Sequence, residues 1–246
     1  MIGAGIIPAG LEMMDKKATA AVEQFVRAGY PLDAAAILLC ESDGTAEEVA
    51  AEIERIRQVM TKAGATEIRA SRDETERLKF WAGRKAAFPA VGRIMPDYYC
   101  MDGTIPKKRL PYVLTRIGEL SDKFNLQCAN VFHAGDGNLH PLIMFDANDD
   151  DQDERAQAYG AAILELCVEV GGTITGEHGV GIEKINQMCV QFNVSELKVF
   201  HAVKKAFDEH GLLNPGKAVP TLQRCAEFGA MHVQAGKEKF PGLPRF

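Results

Sequence analysis

Two histidines flank a short glycine-rich segment in the middle of the chain, and both side chains can bind a metal ion. His133 and His140 begin and end the stretch HAGDGNLH, with Asp136-Gly137 at its centre. Asp-Gly is a strong signal for a two-residue type I′ hairpin turn, which needs positive φ at both positions. Such a turn places the two histidines opposite each other, with Cβ atoms about 5 Å apart. That spacing favours one divalent metal held by both imidazoles, with hydrogen-bonded histidines at a sheet edge as the alternative.

A second glycine-rich segment carries an acid followed by an imidazole. Glu177 and His178 stand between Gly176 and Gly179, directly after an apolar run. The glycines free the backbone, so both side chains can turn toward one site. Glu177 then supplies a third ligand, which leaves a coordination position open as in catalytic metal sites. His178 can act as a base near neutral pH. Taken alone, the segment also fits an exposed loop before a helix.

A cation on a predicted helix completes the set of chemically interesting residues. Arg84 follows Trp81 by one helical turn, and a guanidinium can hold a substrate carboxylate in bidentate fashion. A solvated surface charge is the ordinary reading of such a residue. The other three histidines have the contexts of structural or exposed side chains: His201, His210 and His232.

The hydrophobic pattern predicts helices and strands that alternate along the chain. Helices are expected over 11–28, 45–63, 73–88, 106–124, 152–170, 180–191 and 195–209. Strands are expected over 34–41, 66–70, 98–102, 126–133, 139–145 and 173–175. Successive strand–helix–strand units predict an α+β fold, in which helices cover one face of a largely antiparallel sheet and a helical part follows at the C-terminal end.

The composition narrows the class of protein. The 246 residues are 46% hydrophobic and carry a net charge of −6, so a sizeable core is available and no basic surface points to nucleic acid. The six cysteines form no CxxC pair, which indicates a reducing compartment. The N-terminus is a poor signal peptide, and no stretch approaches the roughly 20 apolar residues of a membrane span. We therefore expect a cytoplasmic protein.

Five motifs together resemble the C-terminal domain of FAD-linked oxidases of the vanillyl-alcohol oxidase type, and among these the glycolate oxidase pattern. They are IPAGLEMMD at 7–15, WAGRKAAF at 81–88, HAGDGNLH at 133–140, GEHGVG at 176–181 and LNPGK at 213–217. The resemblance covers nearly the whole chain. It implies ferredoxin-like repeats and oxidation of a 2-hydroxy acid, such as glycolate or D-lactate, with hydride transfer to FAD.

The resemblance also assigns residues to roles. It implies that a divalent metal, zinc above all, is bound by the three side chains already singled out, His133, His140 and Glu177. His178 would be the base that takes the hydroxyl proton, Arg84 would hold the substrate carboxylate, and Asn214 would lie near the flavin.

The chain departs from the family pattern in one respect. It has no GxGxxG motif and no glycine-rich pyrophosphate loop ahead of residue 30. We therefore expect residues 1–30 to be a helical segment joining a missing FAD module, residues 31–220 to be the substrate domain, and residues 221–246 to be an irregular tail. Because flavin chemistry belongs to the cofactor, this chain alone is expected to be inactive.

Two other functions remain open on the residues alone, a metal-dependent hydrolase that uses the same ligands and a non-catalytic metal-binding subunit. The expected partners are a small 2-hydroxy acid, other glycolate oxidase subunits and a second copy of the chain, with no nucleic acid. Such subunits would place a cytoplasmic protein at the inner face of the membrane.

Overall fold

A five-stranded antiparallel sheet lies at the centre of the residues that the structure describes, 1–149 and 151–221. The structure is a computed structural model. The strands are β1 (Gly10–Asp15), β2 (Ala36–Glu41), β3 (Asp97–Cys100), β4 (Gln127–His133) and β5 (Pro141–Phe145). Their spatial order is β2-β1-β4-β5-β3, so β1, β4 and β5 are the inner strands.

Eight α-helices connect or follow these strands within the described ranges. They are α1 (Lys16–Val26), α2 (Ala46–Lys62), α3 (Glu74–Lys85), α4 (Ala87–Val91), α5 (Leu110–Phe124), α6 (Gln152–Glu169), α7 (Met188–Gln191) and α8 (Val194–Phe207). Local sequence fixes several of their ends. Thr45 and Glu48 form a capping box at the start of α2, and Asn193 and Glu196 form another at the start of α8. None of the helices in the described part of the chain is long and apolar enough to cross a membrane.

The sheet is covered by helices on both of its faces. On one face, Phe132 and Ile143 belong to a core with residues of α5 and α6. On the other face, Val131 and Leu142 belong to a second core with residues of α1 and α4. The predicted α+β class with an antiparallel sheet is confirmed. The expectation of helices on one face only is corrected, because the inner strands are apolar on both faces and α1 and α4 cover the second face.

That strand is β1, which lies where the sequence pattern predicted the start of a helix over 11–28. Met13 and Met14 are both buried, one on each face of the sheet, so the strand shows no alternation of polar and apolar residues. The helix begins only after Asp15, whose carboxylate accepts the N–H of Ala18 and caps α1. The cap signal was present in the sequence, but the apolar run before it was assigned to the helix.

Four further predicted elements differ from the structure. The segment 66–70 is largely exposed and belongs to no strand. The segment 173–175 contributes a single bridge, between Thr173 and Thr104, rather than a strand. The helix predicted over 180–191 is reduced to α7, which a series of turns precedes. A turn at Ala86 divides the helix predicted over 73–88 into α3 and α4. The remaining predicted helices and strands are confirmed with small shifts at their ends, and the predicted tail lies beyond Thr221 outside the described residues.

A stability measurement tests the sheet core. Phe132 is fully buried on β4, whereas Phe207 at the end of α8 is 84% exposed. We expect Phe132→Ala to lower the free energy of unfolding by about 3–5 kcal/mol, because it leaves a cavity against α5 and α6. The matched change Phe207→Ala should alter the free energy of unfolding by no more than about 0.5 kcal/mol. Urea unfolding followed by circular dichroism checks both, and equal losses would contradict this packing.

Candidate metal centre

The hairpin between β4 and β5 carries both histidines on one face of the sheet. Asn130 pairs with Pro141, and His133 pairs with Asn138. The register therefore differs by two residues from the predicted one, in which His133 faced His140. Because side chains alternate with period two, a shift of two leaves both histidines on the same face. Their ring centroids lie 5.2 Å apart in an edge-to-face arrangement.

The difference in register arises in the turn. The predicted type I′ turn needs positive φ at Asp136 and at Gly137, but only Gly137 adopts it, with φ of 78°. A four-residue connection forms instead, in which the carbonyl of His133 accepts the N–H groups of Asp136 and Gly137. Gly137 also packs against the backbone of Ile105, where a Cβ atom would lie 2.4 Å from the carbonyl oxygen. The glycine is required there by close approach as well as by φ.

The loop at 176–178 brings an acid and an imidazole to the same histidines. Oε1 of Glu177 lies 3.3 Å from Nε2 of His133 and 3.9 Å from Nε2 of His140. The His178 ring stacks on the His140 ring with 5.2 Å between centroids. Nδ2 of Asn138, opposite His133 in the hairpin, donates to Oε1 of Glu177 at 2.7 Å. The structure thus brings together four of the side chains singled out in the sequence.

His133, His140 and Glu177 form a donor set that can hold one cation. One ligand atom from each lies within 4.8 Å of the others. The site has a closed inner side and an open outer side, since the side chain of His140 is 4% exposed and that of Glu177 is 51% exposed. Burial, followed by repulsion from His133, lowers the pKa of His140. The neutral imidazole that metal binding requires is therefore favoured.

Glu12 of β1 is a site residue that the sequence analysis missed. It faces His133 in the β1–β4 register, and its Oε1 contacts Nδ1 of His133 at 2.7 Å. Its Oε2 accepts a hydrogen bond from Nε of Arg84 at 3.0 Å and lies 2.9 Å from Nη2 of the same guanidinium. A carboxylate on Nδ1 fixes the ring so that Nε2 points to the cluster, as carboxylates that hydrogen-bond to ligand histidines do in metal sites. A strand prediction for 10–15 would have been the first step toward finding Glu12, but its pairing with His133 spans 121 residues of sequence.

Arg84 joins the cluster through Glu12 and not by direct contact with the histidines. Its side chain is 11% exposed and that of Glu12 is 12% exposed, so the pair is largely buried. Arg84 is therefore not a solvated surface charge, which was the alternative interpretation of the sequence. The role of Arg84 at a substrate carboxylate remains a prediction.

Asp102, just after β3, binds the loop that carries Glu177 and His178. Its carboxylate accepts the backbone N–H groups of Gly176, Glu177 and His178 at 3.2, 3.1 and 2.8 Å. It also pairs with Nζ of Lys184 at 3.0 Å, and both side chains are almost completely buried. Burial alone would raise the pKa of Asp102. Hydrogen bonds from the loop and from Lys184 outweigh it and hold the pKa well below its usual range.

A second group of potential ligands is Asp102, His140 and His178, and one ligand atom from each also lies within 4.8 Å of the others. It is the weaker candidate, because the Asp102 carboxylate is already the acceptor for the loop backbone and for Lys184. Cys100 approaches Nδ1 of His140 at 3.9 Å, but burial raises the pKa of its thiol to about 12, so it is not a ready thiolate ligand.

Asn214 is not among the residues that contact this cluster in the described part of the chain. It lies in an exposed turn after α8 with φ of 44°. The same turn is tied to the segment after His178, because the N–H of Ala218 donates to the carbonyl of Gly181 at 2.7 Å. The predicted role of Asn214 near a flavin remains a prediction.

Comparison with known proteins gives the class to which this fold and site belong. Residues 1–218 match the family described as FAD linked oxidases, C-terminal domain. The chain belongs to this family, and the resemblance drawn from the five motifs is confirmed.

Individual relatives are similar over most of the chain. Glycolate oxidase subunit GlcD of Escherichia coli (strain K12) is 63% identical over 246 residues, which are 100% of this chain and 49% of that protein. GlcD of Bacillus subtilis (strain 168) is 35% identical over 217 residues, 88% of this chain and 46% of that protein. The mitochondrial cytochrome-type D-lactate dehydrogenase of Arabidopsis thaliana is 28% identical over 218 residues, 88% of this chain and 38% of that protein. The chain spans about half the length of the GlcD relatives.

Solved structures agree in fold. A 4-ethylphenol oxidase from Gulosibacter chungangensis superposes with a TM-score of 0.64 at 14% identity, over 89% of this chain and 49% of that chain. A p-cresol methylhydroxylase gives a TM-score of 0.53 at 14% identity, over 87% of this chain and 47% of that chain. At this identity the likeness concerns the fold alone.

The buried Arg84–Glu12 pair yields a test of the site's architecture. We expect Arg84→Met to lower the free energy of unfolding by about 3 kcal/mol or more, because it leaves the Glu12 carboxylate buried without its cation. Arg72 pairs with Glu76 through a side chain that is 82% exposed, so Arg72→Met should leave the urea midpoint nearly unchanged. If both variants unfolded at the same urea concentration, Arg84 would not be supporting Glu12.

Proposed function

We propose that this chain is the substrate-side and metal-binding domain of an FAD-dependent enzyme that oxidises a small 2-hydroxy acid to the 2-oxo acid. The observation that carries the proposal is the convergence of His133, His140 and Glu177 on one point, with the His178 imidazole beside it. Relatives named glycolate oxidase subunits and D-lactate dehydrogenases support the reaction class.

The donor set fits a divalent cation. Two imidazole nitrogens and one carboxylate oxygen are ligands that zinc accepts, and iron or manganese also accept such a set. His133 is oriented by the Glu12 carboxylate, and Glu177 is oriented by the Asn138 amide. Three protein ligands with an exposed outer side leave room for a substrate to approach. A bound cation would supply Lewis acidity there, while FAD would accept the hydride.

The residues of this chain then have separable tasks in the oxidation. The substrate loses two electrons and two hydrogens: the hydrogen on C2 leaves as hydride and the hydroxyl hydrogen leaves as a proton. His178 takes that proton, since it stands beside His140 on the exposed side of the cluster. As the proton leaves, the C2–O bond becomes the carbonyl of the 2-oxo acid.

Substrate orientation is assigned to Arg84 and the flavin side to Asn214. The Arg84 guanidinium gives Nε and Nη2 to Glu12, and its remaining N–H groups would hold the substrate carboxylate. Asn214 stands exposed in its turn, where its amide can face a flavin held by another module.

Other subunits are proposed as partners, because two relatives are named as subunits of glycolate oxidase. A second copy of the chain and a cytoplasmic location at the inner membrane face are part of the same proposal.

Zinc titration of the 246-residue chain tests the metal site. We expect one zinc ion per chain, and His140→Ala should weaken zinc binding by at least roughly a hundredfold, more than the loss of a residue that only supports a ligand does. His201, whose Nε2 contacts the carbonyl of Pro220, provides the matched control. His201→Ala should bind zinc within about twofold of the unmodified chain. Equal affinities of the two variants in isothermal titration calorimetry would refute the assignment of His140 as a ligand.

Turnover by the FAD-containing enzyme that carries this chain tests the base. We expect His178→Ala to lower kcat roughly 10²- to 10⁴-fold, the range of a general base. The variant should keep its zinc affinity within about threefold, since His178 is not assigned as a ligand. His201→Ala is again the control, with unchanged kcat. Normal turnover of His178→Ala at saturating substrate would contradict the role.

A further inference from the structure

The loop that carries Glu177 and His178 has little regular structure to hold it. Residues 174–181 form neither helix nor strand, so their N–H groups have no ladder of partners. Both side chains project from an exposed part of the surface. Without another constraint, such a segment would sample many conformations. Contacts from the buried side of the loop must therefore fix the orientation of the Glu177 and His178 side chains.

Asp102 supplies the contacts beneath this loop. It is fully buried, and three consecutive N–H groups of the loop converge on its carboxylate, with the shortest contact from His178 at 2.8 Å. The hydroxyl of Thr175 donates to the same oxygen at 2.7 Å. The carbonyl of Asp102 also accepts the N–H of Gly176 at 2.8 Å. One residue thus binds four consecutive positions of the loop.

We propose that Asp102 is a positioning residue that sets both the metal ligand Glu177 and the base His178 through their backbone. The inference rests on the proposed function, because it assigns a purpose to the placement of these two side chains. It separates the task of holding the loop from the task of binding the cation. Charge-assisted hydrogen bonds to backbone N–H groups are short and strong, which suits a carboxylate to this task.

Lys184 makes the buried carboxylate tenable. Its Nζ lies 3.0 Å from Asp102 and 3.3 Å from the hydroxyl of Thr175. A buried ion pair contributes little net stability compared with an apolar pair of the same shape. The placement of such a pair directly under the loop is therefore better accounted for by positional control than by stability. Donors from the loop and from Lys184 thus surround one oxygen of the carboxylate.

The other side of the loop is shaped to accept this placement. Gly176 packs against Asn138, where a Cβ atom would lie 2.6 Å from Oδ1 of the amide. Nδ2 of the same Asn138 donates to Glu177. The loop is therefore held between Asp102 and the hairpin, and its backbone has little freedom once both contacts are made.

The test uses the 246-residue chain with Asp102→Asn, which keeps the shape of the side chain but removes the charge. Asp208→Asn is the matched control, because Asp208 also binds a lysine and two backbone N–H groups, those of Leu212 and Leu213, away from the cluster. Two readouts are measured: hydrogen exchange of the amides at 176–178, and zinc affinity by calorimetry.

We expect Asp102→Asn to speed exchange of these amides at least about tenfold and to weaken zinc binding roughly 10- to 100-fold, the range for loss of a residue that supports a metal ligand. Asp208→Asn should keep the exchange rates of these amides and the zinc affinity within about twofold of those of the unmodified chain. Zinc affinity of Asp102→Asn within twofold of the unmodified chain would overturn the proposal. A purely structural role of Asp102 would lower the free energy of unfolding of Asp102→Asn without a selective loss of zinc affinity.

Two controls keep the outcome decisive. If Asp102→Asn fails to fold, Asp102→Asn with Lys184→Gln removes both charges and avoids an unpaired buried lysine. Failure of this double variant to fold would overturn the positioning role in favour of a structural one. If the unmodified chain binds no zinc, the proposed function fails at its metal site. The exchange of the 176–178 amides then decides the role of Asp102, and unchanged exchange contradicts it.

Discussion

The pairing of β4 with β5 is the constraint on which the rest of this structure depends. It sets Phe132 against α5 and α6 and Val131 against α1 and α4, so both cores rely on one register. The same register turns His133 and His140 to one face of the sheet. A slip of one residue would move a histidine to the opposite face and exchange the residues that enter the two cores. The site and the fold are therefore specified by the same hydrogen bonds.

The candidate site is assembled from parts of the chain that are far apart in sequence. Glu12 lies on β1, the two histidines lie on the hairpin, and Glu177 lies on a loop that is bound by Asp102. Each part is anchored separately, to Arg84, to the sheet ladder or to Lys184. This division leaves the candidate ligand atoms of the outer loop exposed while their supports are buried, which is the arrangement that a preformed metal site with an open position requires.

The sequence alone allowed the prediction of the candidate metal ligands but not of the residues that support them. Asp-Gly between two histidines predicted a hairpin, and the two-residue error in register did no harm because it preserved the face. Glu12 was missed because β1 is buried on both faces and shows no alternation. Asp102 was missed because its role depends on a contact across 73 to 82 residues of sequence, which no local pattern encodes. Short-range signals identify chemistry, while long-range packing decides what holds it in place.

The most direct test of the account is the position of a bound metal. Crystals of the 246-residue chain grown with zinc and measured at the zinc absorption edge would locate the ion by its anomalous scattering. The account predicts one strong peak at about 2.0–2.2 Å from Nε2 of His133, Nε2 of His140 and an oxygen of Glu177. A peak on other side chains, or none with the three residues arranged as described, would contradict it.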